Sequence, residues 1–170
     1  MKNSKVKSLF LFILVIAVIF SMSACGDGSP APYDAPQGAP YSGLYFIDKM
    51  NSNFSYSYKK GVNNFEITMK WKTEDENIES AEFSDFYYLE WAMDSASPFS
   101  LCEPVNDMIK LKNNKHTIKP GEDVTVNPDV DSYFDGLPRG IYRFVYVYDV
   151  SYKDGTKDQR VNYFEFDMSE

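Results

Sequence analysis

Leu137-Pro138-Arg139-Gly140-Ile141-Tyr142-Arg143-Phe144-Val145-Tyr146-Val147-Tyr148-Asp149-Val150 is the stretch whose reading decides the fold. Pro138 and Gly140 signal a turn, and the residues after it are mostly β-branched or aromatic. Such side chains suit the pleated surface of a sheet, so 141–150 reads as a strand. Alternation places Tyr142, Phe144, Tyr146, Tyr148 and Val150 on one face and Ile141, Arg143, Val145, Val147 and Asp149 on the other. Both faces are largely apolar. A strand of that kind is central in its sheet, with a second sheet over one side.

The same reading extends in both directions. Downstream, Lys153-Asp154-Gly155-Thr156 carries the Asp-Gly pair of a type I′ hairpin turn, and 161–168 returns with Phe164, Phe166 and Met168 on one face. Upstream, residues 127–136 form a loop with one helical turn at 131–134, preceded by a turn over 118–123 and a short strand at 124–126. Phe65, Ile67, Met69 and Trp71 alternate with Glu66, Thr68, Lys70 and Lys72, which predicts a strand with one buried and one wet face. Further strands are predicted at 44–47 (an edge), around Tyr56 and Tyr58, at 85–94 with Tyr87, Leu89, Trp91 and Met93 on one side, and at 108–111. Asn63-Asn64 and Asn113-Asn114 read as turns, and Glu74, Asp75, Glu76 and Glu79 as a solvated connection. About seven strands with almost no helical periodicity make an antiparallel β-sandwich over 43–170.

The chain has 170 residues, a formal charge of −8, 16% aromatics and a single histidine, enough for one ordinary domain with accessory segments. An acidic chain is a poor match for nucleic acid or an anionic membrane face, which select for positive charge. Its acidity serves solubility or attraction to a basic partner.

At the N-terminus Lys2, Lys5 and Lys7 precede an apolar run over 9–20, followed by the small residues Ser21, Ser23 and Ala24. This order is that of a secretory signal peptide over 1–24, and the run is slightly short for an uncleaved anchor. Its removal takes the charge from −8 to −11, since it holds three lysines and no acid. The end of the segment, Met22-Ser23-Ala24-Cys25-Gly26, resembles the lipobox of bacterial lipoproteins, with Met22 in place of the usual Leu. The resemblance implies a diacylglyceryl group on Cys25, cleavage before it, and a membrane-anchored protein on the extracytoplasmic face. Two or three acyl chains anchor firmly where one is marginal. Asp27 resembles the sorting signal of such lipoproteins, which implies retention at the inner membrane in a two-membrane cell. Residues 25–42 then read as a tether: four prolines (Pro30, Pro32, Pro36, Pro40) and three glycines cannot bury enough surface to offset ordering. Tyr33 and Tyr41 need no special role in that reading.

Phe65-Glu-Ile-Thr-Met-Lys-Trp71 is similar to the second strand of a fibronectin type III or related Ig-like domain, and Tyr88-Leu-Glu-Trp91 to the third. Leu137-Pro-Arg-Gly-Ile-Tyr142 resembles the tyrosine corner before the sixth strand, one residue shorter than usual; there a Tyr hydroxyl ties back to an upstream backbone group. With Ile118-Lys-Pro-Gly121, the pattern resembles bacterial Ig-like domains of lipoproteins over 63–168. The family consists mostly of binding or spacer modules, so the resemblance speaks to fold more than to function.

Chemistry finds little support. Ser-His-Asp or Cys-His catalysis would have to use His116, which reads as an exposed loop residue, and no Ser sits on a nucleophile turn. Cys102 is alone once Cys25 is acylated and reads as a buried small apolar residue. Asn127, Asp129, Asp131 and Asp135 offer oxygens for calcium, but Pro128 stiffens the segment and the EF-hand's central Gly and terminal Glu are missing. No catalytic residue, metal or cofactor is therefore assigned. Tyr45, Tyr56, Tyr58, Tyr87, Tyr133, Tyr152 and Tyr163 exceed what one core needs and read as half-buried strand residues or as a stacking surface. The leading expectation is a non-enzymatic, lipid-anchored binding or structural module with an envelope protein or glycan as partner. The alternative is a carbohydrate-binding module using exposed aromatics, and a hydrolase dependent on His116 comes third.

Overall fold

The computed structural model describes residues 32–47, 50–59, 62–73 and 75–168, and their side chains except those of 51–59, 62 and 63. The signal peptide read over 1–24, Cys25 and the first part of the tether lie outside the described residues. Ten strands form among the described residues: β1 (Tyr45–Phe46), β2 (Met50–Lys59), β3 (Val62–Trp71), β4 (Ile78–Ser84), β5 (Tyr88–Ala92), β6 (Ser100–Leu101), β7 (Lys115–Ile118), β8 (Asp123–Val126), β9 (Ile141–Tyr152) and β10 (Lys157–Asp167). The larger sheet is ordered β1-β10-β9-β4-β7, with β5 also against β9 and β6 against β5; the smaller is β2-β3-β8. No helix among the described residues is long and apolar enough to cross a membrane.

β9 is central, as its two apolar faces predict. It pairs with β10 from Ile141↔Asp167 to Ser151↔Lys157, and its other edge is shared by β5 at 141–145 and β4 at 149–152. From Glu82 to Tyr88 the chain takes six steps where β9 takes four, so two extra residues kink it between β4 and β5. Tyr142, Phe144, Tyr146, Tyr148 and Val150 are all buried against the second sheet. There β3 supplies Phe65, Ile67, Met69 and Trp71, each buried at the predicted alternation. Phe65 and Phe144 meet edge-on at 5.1 Å, and the Tyr148 hydroxyl lies 3.0 Å from Met69 Sδ.

Several expectations are corrected. The pairing is mixed: β1 lies parallel to β10, because it reaches that edge from a segment far away in sequence and no hairpin sets its direction. Ten strands replace about seven. β4 and β7 lie where a solvated loop and a turn were expected, and they pair with each other (Ala81↔Ile118). Asn63 and Asn64 do not turn the chain; they pair with Tyr58 and Ser57 inside the β2–β3 ladder. Residues Ile109–Asn113 form a 3₁₀ turn rather than a strand, opened by the Asp107 carboxylate accepting the Ile109 N–H at 2.8 Å. The Asp154-Gly155 hairpin exists, with a three-residue loop instead of a type I′ pair. The Gly155 N–H donates to the Tyr152 carbonyl and Gly155 sits at φ 85°, as in a turn closed by a left-handed glycine. The helical turn at 131–134 is present: the N–H groups of Tyr133 and Phe134 both donate to the Val130 carbonyl.

The largest correction concerns the tether. From Pro32 onward it is part of the folded unit: Tyr33, Ala39 and Tyr41 are buried with Val145 and Val161. The outer face of β9 and β10 carries an apolar patch at Val145, Val147 and Val161, and residues 32–46 cover it as a strap.

The tyrosine corner closes despite its shorter spacing. The Tyr142 hydroxyl donates to the carbonyl of Pro138, four residues upstream, and the ring is fully buried. Tyr142→Phe is expected to cost about 1 kcal/mol, the net worth of one buried hydrogen bond, as a lower urea midpoint at unchanged slope. An unchanged midpoint would mean that the corner holds nothing.

Candidate functional site

The most unusual chemistry among the described residues is a carboxylate with no exposure at all. Glu90 lies on β5 between Leu89 and Trp91 and pairs across to Arg143. Its Oε2 accepts the Tyr33 hydroxyl at 2.6 Å and its Oε1 the Tyr41 hydroxyl at 2.8 Å, both from the strap. Burial pushes the Glu90 pKa above the ordinary carboxylate value; the two hydroxyl bonds and the charge of Arg143 pull it down, and Asp34 adds to the rise. Tyr33 and Tyr41 are likewise held well above the ordinary phenol value, first by burial and then by Glu90. The three groups form one satisfied network, which is what a buried charge requires.

Arg143 continues the cluster toward the surface. Its guanidinium lies 3.6 Å from the Phe99 ring centroid and 4.3 Å from that of Tyr163, and Nε donates to Glu165 at 2.9 Å. The strap walls a groove here of ≈ 510 Å³, with Tyr33, Gln37, Phe46, Phe99, Arg143 and Tyr163 on its sides. A second groove of ≈ 340 Å³ lies on the strap's other flank, between Tyr41, Phe86, Tyr88, Lys112, Val147 and Asp149. Its polar rim is largely self-bonded: Lys115 reaches Glu82, Gln159 donates to Asp149 at 2.9 Å, and Lys112 lies over the Phe86 ring. Its rings are steep to one another, Phe86 to Tyr88 at 88° and Tyr41 to Tyr88 at 49°, so they form no flat platform for a sugar.

The residues singled out from sequence fall in separate places. His116 is on β7, half-buried, with Nε2 2.5 Å from Asp85 Oδ1 and its ring against Phe83. That corrects the exposed loop position expected for it. Cys102 is half-buried beside β5, its N–H donating to the Leu89 carbonyl, and burial, with the charges of Glu90 and Glu103 behind it, pushes its thiol up to about 11. It is therefore a protonated, unreactive thiol at neutral pH.

In the 127–136 loop Asn127 and Asp129 serve the fold, while Asp131 and Asp135 are exposed. The Asn127 amide donates to the Phe65 carbonyl, Asp129 caps the N–H of Ser132, and the Asp129 carbonyl accepts the Tyr87 hydroxyl. Among the described residues no three His, Cys, Asp or Glu gather as a metal site. Of the tyrosines thought surplus, Tyr87 is in the core, Tyr45 is exposed, and Tyr133, Tyr152 and Tyr163 are half-buried. The side chains of Tyr56 and Tyr58, like Cys25, lie outside what is described.

Sequence reasoning missed Glu90, Arg143, Tyr33 and Tyr41 as a unit. The available signal was an acid in an otherwise apolar strand, together with two tyrosines in a Pro/Gly-rich segment. No family model and no curated protein matches the chain.

Proposed function

We propose that the chain is a cell-envelope lipoprotein, anchored by lipid on Cys25 at the extracytoplasmic face of the membrane. Its Ig-like domain is a non-catalytic module that binds an envelope protein or glycan, or supports an envelope assembly. The observation that carries this reading is Met22-Ser23-Ala24-Cys25-Gly26 behind a basic and then apolar leader, in a chain whose described residues from Pro32 onward belong to a folded unit. The strand order supports the Ig-like part: β2-β3-β8 faces β10-β9-β4/β5, as strands A-B-E face G-F-C in immunoglobulin-type sandwiches. The buried Trp71 ending β3 and the Tyr142 corner add to it.

The test is metabolic labelling with a radioactive fatty acid in cells with and without globomycin. Label is expected on the wild-type chain and not on Cys25→Ser, and globomycin should accumulate a precursor larger by residues 1–24. An unlabelled wild-type chain, or processing indifferent to globomycin, would remove the lipid anchor from the account.

A further inference from the structure

We propose that residues 32–46 are a releasable strap, docked through Glu90, whose release uncovers an apolar patch on the outer face of β9 and β10. The strap is joined to the body mainly by side chains. Apart from the two residues of β1 and the Ile47 N–H to Val161 carbonyl bond, its backbone bonds are internal: Tyr33 to Leu44, Ala39 to Pro36, Ser42 to Ala39 and Leu44 to Tyr41. What holds it down is burial of Tyr33, Ala39 and Tyr41 on Val145 and Val161, and the two hydroxyl bonds to Glu90. A segment with few ladder bonds belongs to the low-stability end of a fold and opens before the core does. β9 and β10, with eleven paired positions, are at the other end.

Release uncovers the apolar patch of Val145, Val147 and Val161 on β9 and β10 and removes one wall from each groove.

Docking is also tied to protonation. The titratable and charged groups facing Glu90 are Tyr33, Tyr41 and Asp34 from the strap, Arg143 from β9 and Cys102 beyond β5. Because the docked carboxyl titrates above its ordinary value of 4.5, its contribution is full below that value and is lost as pH rises through the docked one. Acid tightens the strap and alkali loosens it.

Hydrogen exchange on the full chain in detergent, expressed as protection factors to remove the intrinsic pH dependence, tests this. Between pH 5 and pH 8 the amides of Tyr33, Ala39, Ser42 and Leu44 should lose protection while those of β9 and β10 keep theirs. Glu90→Gln, which retains a donor and an acceptor for both tyrosines, should stay docked and lose the pH dependence. Glu90→Ala should lower strap protection by about tenfold or more, since two buried hydroxyls lose their acceptor. Strap amides that lose protection only together with β9 and β10, or a pH dependence that survives in Glu90→Gln, would overturn the proposal. None of these readouts requires lipid on Cys25, so the labelling experiment can fail while the strap stands, and the reverse.

Discussion

Phe144→Ala is expected to remove about 3–5 kcal/mol of stability, the usual loss when a fully buried aromatic ring is truncated in a packed core. Phe144 has no exposure and sits where the two sheets meet. Its ring lies 5.1 Å from Phe65 on β3, 5.0 Å from Tyr87 and 4.8 Å from Phe166 on β10, so truncation opens a cavity bounded by both layers. Domains of this size are stable by about 5–15 kcal/mol in total, so the variant stands at the edge of unfolding. Urea denaturation should show a sharply lower midpoint with an unchanged slope, and both sheets should melt together. Tyr45→Ala, at a residue 44% exposed, is the contrast and should change stability by less than about 0.5 kcal/mol. A loss below about 1 kcal/mol for Phe144→Ala would mean that the two sheets do not share this core.

What made Phe144 legible in the sequence was the density of its surroundings. The strands that build the centre, β3 and β9, carry long alternations of large apolar residues, and a pattern of that length has few alternative readings. The strands flanking that centre carry no such signal. β4 holds only Ala81 and Phe83 fully buried, within the acidic context of Glu79 and Glu82, and β7 buries only Ile118. Each is a strand because β9 and then β4 offer it an open edge, a tertiary fact invisible to local propensity. The strap failed for the opposite reason. Pro36, Gly38 and Pro40 read correctly as breakers of regular structure, yet irregular backbone can still bury side chains when an apolar face needs a cover. The clue was on β9: Val145 and Val147 form a second apolar stripe that a one-sided sheet would not need. Glu90 is hidden for the same reason, since its partners Tyr33 and Tyr41 sit in a segment whose prolines and glycines read as a spacer. Chemistry drawn from separate elements does not show in local sequence; the Tyr142 corner, closed over four residues, does.

The turn before β9 sets the second large effect: Gly140→Ala is expected to cost about 2–4 kcal/mol, combining backbone strain with overpacking. Gly140 adopts φ 152°, which side-chain-bearing residues rarely do, and a Cβ there would lie 2.4 Å from the Ala92 carbonyl oxygen and 2.4 Å from Trp91 Nε1. The first of these is backbone at the end of β5 and cannot swing aside. The second belongs to an indole whose N–H already donates to the Arg139 carbonyl at 3.2 Å, so moving it breaks a bond. The Gly140 carbonyl also receives the Met168 N–H at 2.8 Å, which fastens the end of the chain beside the same turn. Any shift that relieves the clash therefore disturbs β5, the corner closed by Tyr142 and the chain just after β10 at once. Gly155→Ala separates the two causes. Gly155 also has a positive φ, 85°, but nothing lies within 4 Å of its would-be Cβ. That substitution should cost only the left-handed backbone, about 1–2 kcal/mol. Thermal denaturation should place Gly140→Ala below Gly155→Ala by several degrees, about 2–4 °C for each further kcal/mol. Equal losses at the two positions would mean that the turn at Gly140 does not approach the Ala92 carbonyl, and that β5 and β9 are held together in some other way.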